Sequence, residues 1–250
     1  MTTMRQLEKA VIDLQKMLRS LMVVVVALFV LMAGYIGYKE FYQSKTVSAV
    51  AALDPAQQPP QEQFGLVKDY PKLEKDDHIR GNGDATYLLI EYSDFECPYC
   101  KQFHATAKQF LKEYGTDAAW VYRHYPLAQI HSKATDEAIA SECVASLGGN
   151  DAFWKFVDGL FEVTPSNDGL DLSLLPGLAA SAGVDSSAFE NCYNQKETAK
   201  IVEDQYKSGV SFGVRGTPGS FLINTKNGKA VSIPGALPFE AFRQALDKIK

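Results

Sequence analysis

The pattern of apolar and polar positions changes its period several times along the chain, and each change marks an element. Leu21 to Tyr38 is an uncharged, predominantly apolar run of 18 residues. At about 1.5 Å per residue, a helix of that length spans roughly 27 Å, enough to cross a hydrocarbon core. Upstream, Leu7, Val11, Leu14 and Leu18 recur at helical spacing on an otherwise charged segment. Downstream, the chain becomes rich in Ala, Gln and Pro, with Pro55, Pro59 and Pro60, and reads as a linker. Thr86 to Ser93 predicts a strand, Pro98 to Tyr114 a helix and Ala118 to Tyr125 a second strand. Helical spacing then runs through Ser132–Leu147, Asp151–Phe161, Leu172–Ala182 and Ser187–Lys207, interrupted at Gly148-Gly149, at residues 165–169 and at Gly183. Phe221–Asn224 and Ala230–Ile233 form a hairpin about Asn227-Gly228, and Pro238–Lys250 is a closing helix. This order is an α/β domain with helices inserted after its second strand.

Charge sets the orientation. Arg5, Lys9, Lys16 and Arg19 precede the apolar run, and Lys39 and Lys45 are the nearest cations after it. The excess before the span places residues 1–20 in the cytosol, makes 21–38 a transmembrane signal-anchor, 39–70 a linker, and puts residues 71–250 outside the cytoplasm as the functional domain. Gly34, Tyr35, Gly37 and Tyr38 suit a membrane interface. The competing reading is a cleaved signal peptide, but Ala49-Val50-Ala51 lies far from the apolar run for a cleavage site. A net charge of −5 with Lys and Arg spread along the chain gives no basis for nucleic-acid binding. Gly81-Asn82-Gly83-Asp84 is a turn signal rather than a phosphate loop. Trp120, Phe153 and Trp154 read as core aromatics.

The chemistry concentrates at Cys97-Pro98-Tyr99-Cys100, between the first strand and its helix. A thiol at a helix N-terminus meets unpaired N–H groups and the positive end of the macrodipole, which favour a thiolate. The second thiol, one turn on, can attack a mixed disulfide at the first. Pro98 suits the first helical position because its missing N–H would be unpaired there. The same spacing is half of a zinc site, but His104 would be a lone third ligand, and Cys143 and Cys192 have no ligand-like neighbours. Two inert packed thiols are the other structural alternative. Glu91, six residues before Cys97, falls in an apolar strand. Burial would raise its pKa and suit it to exchange protons with Cys100; the alternative is an outward-facing carboxylate in solvent. Thr217-Pro218 precedes the apolar run Phe221-Leu222-Ile223, where a cis bond would set a backbone turn beside the active pair; an ordinary trans loop proline is the alternative. Four cysteines in an exported domain suggest that Cys143 and Cys192 form a structural disulfide, against two buried free thiols. Asp94 and Glu96 add negative charge beside Cys97 and would raise its pKa. His104 reads as a surface or helix-face side chain, and His124 and His131 flank the loop after the second strand.

Several motifs, taken in order, carry a family resemblance: Asp77-His78-Ile79-Arg80-Gly81, the run from Ile90 through Cys97-Pro98-Tyr99-Cys100 to His104, Tyr122-Arg123-His124-Tyr125-Pro126-Leu127, and Gly213-Val214-Arg215-Gly216-Thr217-Pro218. From about Asp76 to its C-terminus the chain resembles the DsbA-like thiol:disulfide oxidoreductases of the thioredoxin superfamily. The resemblance implies a thioredoxin-like α/β fold with a helical insertion at about 127–207. It implies Cys97 as nucleophile in a redox-active disulfide with Cys100 as resolving thiol, Glu91 as buried acid, and Thr217-Pro218 as the cis-proline turn. It implies thiol- or disulfide-bearing exported proteins as substrates and a redox-recycling partner, for which a membrane-bound one would suit an anchored domain. No metal, nucleotide, flavin or other cofactor is called for by these residues. Pro98-Tyr99 departs from the Pro-His of the strongest oxidases, leaving oxidase and isomerase directions open, and Gly219 stands where many relatives carry a bulkier residue. A tethered thioredoxin-like binding or chaperone module without turnover is the reading from another class, and insulin-reduction turnover separates the two.

Overall fold

A computed structural model describes residues 64–250 and nine positions between 17 and 35. The expected cytosolic segment 1–20, the expected anchor 21–38 and the expected linker up to residue 63 lie wholly or largely outside the described residues. Among the described residues, no helix is long and apolar enough to cross a membrane.

The described chain runs β1 (Leu66–Val67), β2 (His78–Gly81), β3 (Tyr87–Ser93), α1 (Pro98–Tyr114) and, after a 3-10 turn, β4 (Ala118–His124). The helical insert follows as α2 (Ala134–Val163), α3 (Leu175–Ser181), α4 (Ser186–Gln195) and α5 (Ala199–Ser211). The hairpin β5 (Gly219–Asn224) and β6 (Ala230–Pro234) leads into α6 (Phe239–Ile249). The six strands line up as β1-β6-β5-β3-β4-β2. β3 and β4 pair in parallel, and every other neighbour is antiparallel.

β3 and β4 are buried on both faces, which accounts for their near-continuous apolar sequence. Leu89, Trp120 and Tyr122 face the layer that contains Phe103 and Phe110 of α1 and Phe242 and Leu246 of α6. Leu88, Ile90, Tyr92 and Val121 face the opposite layer, with Val214 and the partly buried Tyr206 and Phe212. α6 buries Phe242, Ala245, Leu246 and Ile249, a single i, i+3, i+4, i+7 stripe. Trp120, Phe153 and Trp154 are core residues.

The structure departs from the sequence expectations at three places. Residues 64–70, read as linker, belong to the domain: Phe64 is buried and Leu66 pairs with Val231. Two residues of strand carry too little periodicity to register in sequence. The stretch Ser187–Lys207 is two helices, because Lys196 adopts a left-handed conformation (φ 51°, ψ 39°) and donates its N–H back to Cys192 and Tyr193. Both sides of that turn are pinned to α2, through the Cys143–Cys192 disulfide and through the Thr198 hydroxyl, 3.0 Å from the Ile139 carbonyl. A tertiary tie thus ends the helix without a glycine. β2, quoted in sequence only as a motif, is an edge strand on β4. The expected break at Gly148-Gly149 is present as a kink at Gly149 (φ 77°) within α2. Arg123 fixes the entry to β2. Its guanidinium donates to both oxygens of Asp77 at 2.8 Å and to the Lys72 carbonyl at 2.6 Å.

Candidate active site

Cys97 is the N-cap of α1, with Pro98 in the first turn. No side chain caps this end and no acidic residue occupies the first turn, so its free N–H groups face the Cys97 sulfur. Cys97 and Cys100 are both free thiols, and both are buried, at 4 % and 0 % exposure. Cys97 is therefore less open than its place at a helix start suggests, and Tyr99, 63 % exposed, is the outward residue of the motif. The Cys97 thiol is held down to about 6. The largest cause is the hydrogen bond from Cys100; Thr217 and the N–H groups of Cys100 and Tyr99 add to it, against a burial effect of opposite sign. Burial and the neighbouring Cys97 push the Cys100 thiol the other way, well above its ordinary value.

The Thr217–Pro218 peptide is cis, and the Thr217 carbonyl lies 3.4 Å from the Cys97 sulfur. Gly219 follows because a Cβ there would come within 2.8 Å of Val214 Cγ1. The missing side chain thus reflects close packing under the turn. Pro218 and Gly219 border a cleft of about 290 Å³ whose other walls include Val214, Arg215, Phe221 and Pro234.

Glu91 lies inside the sheet at 1 % exposure, which removes the outward-facing reading. Its Oε1 accepts from the Ser93 hydroxyl at 2.7 Å and its Oε2 from the Trp120 indole N–H at 3.0 Å. Burial raises its pKa to about 8, outweighing the two hydrogen bonds that favour the anion. The structure therefore brings Cys97, Cys100, Glu91, Thr217 and Pro218 together around one helix start. Cys143 and Cys192 are elsewhere, joined in a disulfide with a Cα–Cα distance of 5.9 Å.

Other polar residues have surroundings that sequence reading missed. Asp94 is a buried anchor rather than a free charge beside the thiol. It accepts from the N–H groups of Glu96 and Leu127 and pairs with His131 Nδ1, each at 2.8 Å. Burial lowers the His131 pKa, but the Asp94 bond outweighs it and the net shift is upward. Glu96 points into the protein against Glu137 in the first turn of α2. Burial, then the adjacent Glu96 carboxyl, lift Glu137 to about 10, which favours its protonated form. His104, read as a surface group, is buried and bonds Asp158 at 2.7 Å, where Arg80 also binds both carboxylate oxygens. His124 and His78 share the carboxylate of Glu142, whose pKa burial would raise but these bonds hold down to about 2. Only Ser93 carried a usable signal in sequence, its i+2 spacing from Glu91 on a strand. Among the described residues, no group of His, Cys, Asp and Glu is arranged to hold a metal ion.

Comparison with known proteins agrees with this fold. The family model described as Thioredoxin matches residues 73–248. Pseudomonas aeruginosa DsbA2 superposes with a TM-score of 0.59 at 25% identity, covering 72% of this chain and 96% of that one. BdbD from Bacillus subtilis, in its oxidised form, shares the fold at a TM-score of 0.60 and 23% identity, covering 70% and 92%. A protein named Na(+)/H(+) antiporter NhaA 1 from Mycolicibacterium vanbaalenii is 32% identical over 166 residues, which are 65% of this chain but 26% of that protein. A Salinispora tropica protein named Na(+)/H(+) antiporter NhaA 3 is 34% identical over 149 residues, 59% of this chain and 22% of the relative. The chain thus spans about a quarter of the length of the curated relatives it matches. On the family match, the fold and the motif order, the chain belongs to the thioredoxin family, on its DsbA-like branch.

Proposed function

We propose that this oxidoreductase is a membrane-tethered thiol:disulfide exchanger that works outside the cytoplasm on exported proteins through the Cys97/Cys100 pair. The observation that carries this reading is the opposed tuning of the two thiols: Cys97 near 6 and Cys100 well above its ordinary value, on one helix turn. A thiol with that pKa is roughly nine-tenths thiolate at pH 7, which makes Cys97 the nucleophile and leaving group. In the oxidising direction a substrate thiolate attacks Cys97 Sγ of the Cys97–Cys100 disulfide. That bond breaks, Cys100 departs with the electron pair, and Glu91 supplies the proton that Cys100 takes up. A second substrate thiolate then attacks the substrate sulfur of the mixed disulfide, releasing Cys97 as a thiolate and the substrate as its disulfide. Stabilising that thiolate stabilises the reduced enzyme and so makes its disulfide the stronger oxidant. The Thr217 backbone, facing Cys97, would pair with an extended substrate segment. The uncharged run at 21–38 and the cations before it support the tether and its orientation. A redox partner in the same membrane would restore the disulfide. Turnover of a dithiol peptide, with the Cys97/Cys100 potential poised against glutathione, tests the reading. A chain that binds the peptide without oxidising it would reduce the domain to a binding module.

A further inference from the structure

The turn from Asp94 to Cys97 joins β3 to α1, and its polar groups are tied on three sides. The buried Asp94 carboxylate takes a hydrogen bond from the Glu96 N–H within the turn, at 2.8 Å. It takes two more, also at 2.8 Å, from the Leu127 N–H and from His131 Nδ1, both in the segment between β4 and α2. Carboxylate oxygens only accept, so the His131 ring is the donor. The Asp94 carbonyl accepts the Cys97 N–H at 3.1 Å. The Glu96 carbonyl accepts the Asn167 N–H at 2.8 Å, from a loop in which Ser166, Asn167 and Asp168 are all left-handed (φ 66°, 52° and 63°). Three such residues in a row without glycine persist only where their surroundings hold them. With the turn fixed in this way, the N–H of Asp94 itself points at Cys100 Sγ from 3.4 Å. Cys100 is wholly buried, so solvent cannot stabilise an anion on its sulfur, and a fixed donor there counts for more than it would in water.

We propose that the Asp94 amide stabilises the Cys100 thiolate during exchange, and that the Asp94 carboxylate and His131 are the positioning groups that aim it. The inference rests on the reading of Cys97 and Cys100 as the redox dithiol. When a mixed disulfide at Cys97 is resolved, Cys100 gives up its S–H proton to Glu91, as above, and attacks as the thiolate. Its sulfur bonds to Cys97 Sγ, the bond from Cys97 Sγ to the substrate sulfur breaks, and the substrate leaves as a thiolate. The dithiol loses two electrons and the substrate disulfide gains them. The Asp94 N–H keeps its own proton throughout and bonds the anion more strongly than the thiol. In the opposite direction it meets Cys100 as that sulfur departs with the electron pair. A stabilised thiolate departs faster outright, whereas in attack part of the gain in thiolate is returned as lower nucleophilicity. Cys97 does not depend on this donor, because the N–H groups facing its sulfur belong to α1.

The test uses the full chain, reduced at Cys97 and Cys100, mixed in stopped flow with 5,5′-dithiobis(2-nitrobenzoate). Capture at Cys97 releases one equivalent of the chromogenic thiol at a rate set by the reagent concentration. Resolution by Cys100 releases the second at a rate independent of it. Asp94→Asn offers a donor where the turn needs an acceptor, and it should slow the second phase roughly 3- to 10-fold with the first within about twofold of wild type. His131→Ala removes one of the three bonds and should slow the second phase alone, by about 2- to 3-fold. His131→Asn keeps an N–H donor near the position of Nδ1 and should restore the wild-type rate. Where Asp94→Asn fails to fold, the two His131 variants decide the matter. A wild-type second phase in His131→Ala, no rescue by His131→Asn, or equal slowing of both phases would overturn the positioning role. A wild-type chain that releases no chromophore in the first phase would overturn the dithiol reading itself.

Discussion

The two cysteine pairs are buried to a similar depth, yet one is a pair of free thiols shifted in opposite directions and the other is a disulfide staple. Cys143 and Cys192 join helices 49 residues apart in sequence. The polar atom beside the Cys143 sulfur is the Thr198 hydroxyl, at 3.6 Å, and that hydroxyl already bonds the Ile139 carbonyl. Cys97 and Cys100 sit on one turn, against a buried acid, helix N–H groups and the Thr217 carbonyl. Burial alone would raise both thiols of the second pair. What separates Cys97 from Cys100 is that hydrogen-bond donors converge on the first sulfur and desolvation dominates at the second. Depth therefore does not distinguish the two pairs; the donors around the Cys97 sulfur do.

The largest expected effect breaks that comparison most bluntly. Cys97→Ser should abolish dithiol turnover, while Cys143→Ala with Cys192→Ala should leave turnover per folded molecule intact. The double variant should instead lose stability, by about 4 kcal/mol on the chain-entropy model for a loop of this length. Urea unfolding and peptide oxidation measured on the same samples check both halves. Loss of turnover in the folded double variant would erase the distinction between the pairs.

A smaller effect sharpens it. Glu91→Gln should slow resolution by Cys100 on the order of 100-fold, since a neutral amide cannot take the proton. Capture of substrate at Cys97 should stay near wild type. Stopped-flow mixed-disulfide formation and decay separate the two steps, and equal slowing of both would contradict the assignment of Glu91 to Cys100.

Much of this was legible in the sequence. β3, α1, β4 and the closing hairpin each carry an uninterrupted periodicity, and a helix start beside two thiols is a local feature. Glu91 could be placed because a carboxylate inside a two-faced apolar strand stands out. The rest depends on contacts far apart in the chain. His104 has the spacing of a helix-face residue, and only Arg80 and Asp158 meeting it explain its burial. Asp94 was read as a charge opposing the thiolate because nothing local reveals that His131, 37 residues on, pairs with it. Glu96 facing Glu137 is likewise a product of how α2 returns to the site. The end of α4 at Lys196 reflects ties to α2 rather than any helix-breaking residue.

The Glu96–Glu137 pair supplies the mildest test, outside the dithiol but beside it. Glu137 titrates near 10 in the folded chain against an ordinary 4.5. A raised acid stabilises the fold fully below the unfolded value and loses that contribution as pH rises toward the folded one. Wild-type melting temperature should therefore fall relative to Glu137→Gln between about pH 5 and 9, with at most about 1.4 kcal/mol per pH unit at stake. Comparing the two curves cancels the groups they share. Parallel curves would show that the Glu137 carboxyl is not raised in the folded chain. Glu142 works in the opposite sense, stabilising above about 4.5 and losing that contribution as pH falls toward 2.

The central claim is that Cys97 is the thiolate of the site and Cys100 its protonated partner. Its most direct test is the pH dependence of iodoacetamide labelling on the reduced chain, read by peptide mapping at each cysteine. The account predicts a midpoint near pH 6 at Cys97, with Cys100 unlabelled across the same range. Labelling of Cys100 first, or a Cys97 midpoint at or above the free-thiol value of about 8.5, would contradict it.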